Sequence, residues 1–415
     1  MISILINAYA CSPHMGSEQG MSWHWITNLA NYCKVFVITE GEYQDKIEKA
    51  LEELPQRENI HFYFNPVSEK VRKICWKQGD WRFYYYYNLW QKGTYRLALE
   101  IMKEQSIDVV HHLNMIGFRE PGYLWKITSV PYVWGPIGGM ENIPISYLQG
   151  EGIKLKMIVL LKTVINNYQA RYSTRVRKAL KRADALIAAV KGVKDKVEKV
   201  HNKQITLINE TGCYPGETLS NPNMRQSKMF NIIWVGKFDF RKQLGVALHS
   251  IANVKNLEGL NFHIVGSGSK QEVSYYQNMA KELGLRNVCR WHGIIPNDKV
   301  QELMRSSDLL FFSSIMEGTP HVVLEAIGNN LPVLCLNACG QSATINGAVG
   351  IKVEVTSTKQ SVIDFTEKLL YLNSNRALLN QMSKACSQRQ IELSWDSKVK
   401  EMVNIYQKIL HDKLS

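Results

Sequence analysis

Apolar residues along this chain follow two rhythms. Short runs rich in β-branched residues, at positions 2–8, 34–39, 107–112 and 130–134, alternate with longer stretches of helical periodicity such as 21–32. Strands buried on both faces read as near-continuous apolar runs, so the alternation predicts parallel βαβ units. The rhythm restarts at 231–235 and continues through 262–265, 288–292, 309–312 and 332–336. Between the two halves, residues 209–228 hold Gly, Pro, Asn and Ser without an apolar period, which predicts a linker. A last amphipathic helix is expected over residues 394–414. The predicted domains are therefore 1–208, then a linker at 209–229, a second domain at 230–393 and a terminal helix at 394–415. Open α/β sheets bind ligands beyond the carboxyl ends of their strands, so the expected site lies in a cleft between the halves.

Composition narrows this picture. At 415 residues, with 45% hydrophobic and 21% charged positions, the chain needs two cores and is not a largely disordered sequence. No apolar run approaches the ~20 residues of a membrane-spanning helix. Its eight cysteines form no C-x-x-C pair, which fits a reducing cytosol better than a zinc ribbon or disulfide framework. The amino terminus has no basic residue before its apolar run and reads as a first strand. The net charge of +13 favours an anionic partner, and residues 151–205 carry most of it, with 14 Lys or Arg against 4 Asp or Glu. That block reads either as an interfacial helix on anionic lipid or as a solvated helix face. No recognition motif accompanies the charge, so nucleic acid is not expected.

Four segments carry candidate chemistry. In residues 313–326, SSIMEGTPHVVLEA, a strand passes into a helix. Pro320 suits the first helical turn, where a missing N–H costs nothing, and Gly318 permits the sharp turn before it. The open amides and partial positive charge of such a helix start suit a phosphate, which makes Gly318, Thr319 and Pro320 candidate binding residues. Glu325 lies about 6 Å beyond His321 among apolar neighbours and needs partners, which ribose hydroxyls would provide. Glu317 would then sit on the sugar side of the phosphates. The alternative makes Glu325 a structural ion-pair partner and Glu317 an exposed loop acid. In residues 235–243, VGKFDFRKQ, Lys237 and Lys242 follow a strand end and can neutralise a pyrophosphate, or can simply be solvated.

Residues 16–20, GSEQG, precede a helix expected near Met21 and resemble a phosphate loop loosely, with Gly16 as the candidate contact. Residues 265–268, VGSG, lack a third glycine and disfavour a nicotinamide cofactor. Both glycine pairs also fit tight turns. In residues 134–139, WGPIGG, Gly138 and Gly139 would let main chain approach a substrate, and an awkward turn explains them almost as well. The aromatic cluster Trp81, Phe83, Tyr84, Tyr85, Tyr86, Tyr87 and Trp90 fits an acceptor groove less well than it fits helix packing.

Together these residues resemble the retaining GT-B glycosyltransferases of family 4. The match spans nearly the whole chain and is strongest at Glu317 and Glu325 within EGTPHVVLEA, followed by Gly328 and Pro332-Val333. VGKFDFRKQ, FHIVGSG, the Trp291–Gly293 triplet and Ser307-Asp308-Leu309 support it. The resemblance implies an α/β architecture of two Rossmann-like doubly wound domains facing a cleft, with the last helix crossing back to the first. It also implies transfer of a hexosyl-type group from a nucleoside diphosphate sugar to a hydroxyl of a glycan or lipid-linked acceptor. In that family the acid at position 317 contacts the donor sugar, the acid at 325 binds ribose, and basic residues at 237 and 242 hold the diphosphate. The segments NAYACSPHMGSEQG, DVVHHLN and WGPIGG look like a subset acting in capsule, exopolysaccharide or lipopolysaccharide assembly.

Two departures stand out. Many relatives have Arg at the position of Lys237, and many carry a His after the strand that ends in Val133-Trp134, where Gly135–Gly139 contains none. On the acceptor side His112 stands as a substitute beside Gly138 and Gly139, with His111 and His14 substitutes by position only. No Asp-x-Asp occurs, so no metal or other cofactor is expected. The expected location is the cytoplasm, peripheral on the inner face of the plasma membrane. Rival readings are a nucleotide-sugar isomerase of the same architecture and a non-catalytic scaffold that binds the sugar nucleotide.

Overall fold

A computed structural model describes residues 1–75, 82–214 and 229–414. The chain forms two compact units. Met1–Met140, Ile165–Thr211 and Trp395–Ser415 make the first; Glu141–Val164 and Gly212–Ser394 make the second.

The first unit is built on a seven-stranded sheet: β1 (Ile2–Ala8), β2 (Cys33–Thr39), β3 (Ile60–Phe64), β4 (Val109–Asn114), β5 (Tyr132–Ile137), β6 (Ala185–Ala188) and β7 (Thr206–Leu207). Their order is β3-β2-β1-β4-β5-β6-β7, with every pairing parallel. Successive strand residues point to opposite faces, and the chain uses both. Leu5 and Val110 enter one core with Tyr87 and Trp90, while Ile4, Ile6 and Val109 enter the other with Trp25 and Leu29. The helix Trp395–Leu414 belongs to this second core, contributing Trp395, Val399, Met402 and Tyr406. The rings of Trp25 and Trp395 meet edge to face at 5.6 Å.

The second unit repeats the plan with β8 (Phe230–Val235), β9 (Leu260–Val265), β10 (Cys289–Gly293), β11 (Leu309–Phe312), β12 (Val333–Leu336) and β13 (Gly350–Val353). The order is β10-β9-β8-β11-β12-β13, again parallel. Ile232, Trp234 and Phe311 fill one face; Ile233, Leu310 and Phe312 fill the other. In each sheet the strand order reverses beside the first strand, at β1/β4 and at β8/β11, which is where such sheets leave a crevice for ligands.

Several expected boundaries move. Residues 141–164 fall outside the predicted first domain because Tyr147 is buried in the second unit's core and its hydroxyl lies 2.6 Å from Ser361 Oγ. Of the expected linker, residues 215–228 lie outside the described residues, and Asn209 is anchored in the first unit by donating to the Ala189 carbonyl. The helix expected near Met21 starts at Ser17. The strand expected to end at Trp134 continues through Gly135 and Pro136 to Ile137, with a register shift against β6 where proline lacks an N–H. β3, β6, β7 and β13 were not predicted.

Candidate functional site

At the carboxyl end of β8 the chain enters residues 236–243, which carry three cations. Asp239 caps the short turn Phe240–Lys242 by accepting from Arg241 N, and its other oxygen pairs with the Arg241 guanidinium at 2.9 Å. Arg241 is thus satisfied locally. Lys242 instead reaches across to the segment after β11, where its Nζ stands 2.5 Å from Glu317 Oε1 and 5.4 Å from the centre of the Phe312 ring. Both partners of this pair are half-buried, with relative exposures of 16% and 18%. Lys237 is exposed and has no ion pair among the described residues.

Two serines lock these segments together. Ser313 Oγ donates to the Lys242 carbonyl and accepts from Trp234 Nε1; Ser314 Oγ donates to Glu317 Oε1 at 2.7 Å and lies 3.1 Å from the Arg241 carbonyl. Ile315 N also donates to that carbonyl. Both serines are buried, so the acid and the lysine segment are held from beneath by buried hydroxyls. Neither serine stood out in the sequence; a polar pair directly after an apolar strand was the available signal.

Gly266 fixes the same loop from the other side. Its φ of +127° is open to glycine, and a Cβ there would lie 1.8 Å from the Gly236 carbonyl oxygen. The loops after β8 and β9 therefore touch backbone to backbone, joined by Phe238 N donating to the Ser267 carbonyl. Gly340 plays a like part for the turn before the next helix, since a Cβ on it would meet the Gly318 carbonyl at 2.1 Å.

That helix is His321–Gly328. Pro320 is its N-cap, with φ −76° and ψ 105°, and not part of its first turn as expected. The Pro320 carbonyl accepts from Val323 and Leu324 N–H, and no side chain caps this end. The opening amides begin at His321, as they would with a proline in the first turn, and Gly318 and Thr319 lie in the turn before them. Glu325 is half-buried and already has protein partners: Gln301 and Asn297 hydrogen-bond its carboxyl. Burial raises its pKa above the usual carboxylate range and these bonds partly offset that. A ribose would therefore share Glu325 with two amides, rather than supply its only partners.

In the first unit the predicted residues are arranged differently. Gly16 is the N-cap of Ser17–Leu29 and no side chain caps that helix. Gly20 lies within the first turn, where a Cβ would strike the Met15 carbonyl oxygen at 1.7 Å, so that glycine serves the turn. Gly138 bridges to Gly117, and Gly139 has φ +78°. His111 is consumed by structure: its Nε2 donates to the Gly135 carbonyl and its Nδ1 accepts from Tyr406 Oη, both at 2.6 Å. His112 is enclosed beside Asn7, and burial lowers its pKa to about 3. Its ring is thus enclosed and weakly basic, with Nε2 unpartnered among the described residues. His14 is exposed, with φ 57°.

Of the aromatic cluster, Tyr87 and Trp90 pack edge to face on Tyr9 at 5.1 and 4.8 Å, while Tyr84 and Tyr85 are exposed. Trp81 lies outside the described residues.

Comparison with known proteins places this geometry. Residues 217–389 match the family model of glycosyl transferases group 1, and they contain both the Lys242 loop and the Glu317–Glu325 segment. The matched residues support a family 4-like glycosyltransferase. The chain is 22% identical over 400 residues to an uncharacterized glycosyltransferase of Methanocaldococcus jannaschii, covering 92% of this chain and 94% of that one. Its fold is shared by the apo form of the lipopolysaccharide outer core galactosyltransferase WaaB, at a TM-score of 0.64 and 16% identity, covering 98% and 99% of the two chains. It is also shared by HepE of Anabaena in complex with UDP, at a TM-score of 0.61 and 13% identity, covering 98% and 100%. These likenesses make the two Rossmann-like sheets those of the GT-B architecture.

Proposed function

We propose that this glycosyltransferase moves a hexosyl-type group from a nucleoside diphosphate sugar to a hydroxyl of a glycan or lipid-linked glycan, with retained configuration and without a metal ion. The observation that carries the reading is the Lys242–Glu317 pair, held by Ser313 and Ser314 beside the uncapped helix His321–Gly328. A diphosphate seated at that helix start would meet main-chain N–H groups and the ammonium groups of Lys242 and Lys237. Those groups oppose the negative charge that grows on the leaving diphosphate as the anomeric bond breaks. Glu317, released from or shared with Lys242, would accept hydrogen bonds from donor-sugar hydroxyls, and Glu325 would accept from the ribose. With lysines supplying point charges where an ion would otherwise sit, the diphosphate needs no cation. The complex of HepE with UDP and the galactosyl specificity named for WaaB support a nucleotide-sugar donor and an acceptor from surface-polysaccharide assembly. An anionic membrane face, through residues 151–205 on the cytoplasmic side, completes the set of partners in this reading.

The test is release of nucleoside diphosphate measured with and without acceptor glycans, after a panel of nucleotide sugars has been ranked by thermal shift. Acceptor-dependent release that persists in EDTA is expected. Loss in EDTA that magnesium restores would overturn metal independence. Sugar isomerisation without acceptor, or donor binding without turnover, would overturn transfer.

A further inference from the structure

The basic block that sequence alone flags over residues 151–205 is not one surface. Arg175 pairs with Glu120 at 2.8 Å, and Arg182 pairs with Asp184 while donating to the carbonyls of Ile127 and Val130. Lys191 and Lys194 pair with Asp195 and Glu198, and Lys196 donates to the Met140 carbonyl. Five of the ten basic residues from 174 to 205 thus have partners within the protein. The helix Ile153–Tyr172 differs: it carries four basic residues and no acidic one, and no ion pair among the described residues involves it.

Its exposed face is the unusual one. Ile153, Met157, Leu161, Val164, Tyr168 and Tyr172 are between 52% and 80% exposed. Their spacing of four, four, three, four and four residues places them within one arc of about 100° at ~100° per residue. Val159, Asn166 and Ala170, on the opposite side, are buried, and Asn166 Nδ2 donates to the Met140 carbonyl at 3.0 Å. A soluble surface helix turns its apolar stripe inward, and here the stripe turns to solvent. Ile158, Leu160 and Ile165, also exposed, widen it. Lys154, Lys162 and Arg171 are exposed around it, and the Arg171 guanidinium lies over the Tyr172 ring at 5.5 Å. No helix among the described residues is long and apolar enough to cross a membrane.

We propose that the outward face of the helix Ile153–Tyr172 lies in the plane of an anionic lipid bilayer, with the stripe sunk among acyl chains and the lysines against lipid phosphates. Charge complementarity selects this occupant: long basic stems beside an apolar stripe keep their heads at the phosphate level while their methylenes and the stripe are buried. Two tyrosines at one end, apolar in body and polar at the tip, suit the boundary between acyl chains and water. A second copy of this chain would instead bring four like charges onto four. The proposal narrows the membrane partner of the proposed function to one helix face. It rests on that reading only for why a bilayer matters, because lipid binding requires no donor and no turnover.

The experiment is flotation of the full chain with vesicles of phosphatidylglycerol and phosphatidylethanolamine, and with vesicles of phosphatidylcholine alone. Binding to the anionic vesicles is expected, weakened about tenfold or more on neutral ones. The triple variant Met157→Gln, Leu161→Gln, Val164→Gln should lose it. Lys154→Glu with Lys162→Glu should weaken it, and more so at low salt. Each variant alters exposed positions, and an unchanged melting midpoint shows that the fold persists. Wild type that stays with the pellet on both vesicles overturns the proposal, as does a triple variant that floats like wild type. Sedimentation of a dimer that the glutamines dissociate, without flotation, assigns the stripe to a second copy and overturns it too. Acceptor-dependent release of nucleoside diphosphate in detergent-free buffer reports on transfer independently of either outcome.

Discussion

The two units share one strand plan and treat the polar groups at their strand ends in opposite ways. Beyond β8 and β11 the second unit leaves a lysine and a glutamate half-exposed, supported from below by buried serines and bordered by an uncapped helix. Beyond β1 and β4 the first unit turns its polar groups inward. His111 is bonded at both nitrogens, and Asn114 donates to the Ala10 carbonyl and to Ser22 Oγ while its oxygen accepts from Ala10 N. Glu18 accepts from Ile116 N. Topology alone therefore does not make a reaction site. What separates the units is whether charge at the switch point is paired outward or spent on holding loops.

The largest expected effect is on the second unit's pair. Glu317→Gln or Lys242→Ala should lower the transfer rate by roughly 10²–10³-fold, as loss of one preorganised charged contact does, with the melting midpoint little changed. Near-normal turnover in both would erase the contrast between the units. Gly266→Ala comes next: the added methyl would press on the Gly236 carbonyl and displace the lysine loop, and a shift of ~1 Å there costs on the order of 10²-fold in rate. Lys242 itself would be intact, so a rate loss without altered composition of the site would isolate positioning.

In the first unit, Tyr406→Phe should leave turnover per folded molecule unchanged and reduce stability by about 1–3 kcal/mol in urea titration, since buried His111 Nδ1 loses its donor. A rate defect instead would mean that the inward network reaches the chemistry. A further prediction for the first unit concerns pH. Burial, with a smaller push from Glu210, raises the Glu18 pKa from 4.5 to about 8. A folded pKa above the unfolded value means the native state holds the proton more tightly. The stability this contributes is complete below about pH 4.5 and is lost as pH rises through about 8. Glu18→Gln, which keeps the neutral shape, should flatten that decline between urea midpoints taken at pH 5.5 and 8.5.

Sequence reading reached the second unit further than the first, for a physical reason. Glu317, Glu325 and Lys242 lie on short segments next to β8 and β11, so linear spacing and spatial grouping coincide. β11 and β12 were legible because each is a continuous apolar run, and 309–312 was located to the residue. β6 and β7, at four and two residues, are too short to show a period. β5 was cut short because Gly135 and Pro136 read as breakers, although the sheet tolerates them by shifting register against β6. The roles of Ser313, Gly266 and Gly340 depend on contacts 22 to 79 residues distant in sequence or on main-chain approach, which no single-chain pattern displays. His112 was placed at the right strand end, but its burial follows from Asn7 and Gln91 on other elements.

The helix Trp395–Leu414 gives the chain an unusual order of completion. The core that receives Ile4, Ile6 and Trp25 also requires Trp395, Val399, Met402 and Tyr406. During synthesis the strands of the second sheet will have emerged before that core can close, so the unit begun first is finished last. Until then its exposed face needs shelter, and a ribosome stalled anywhere in the second half would leave the opening 140 residues unsealed.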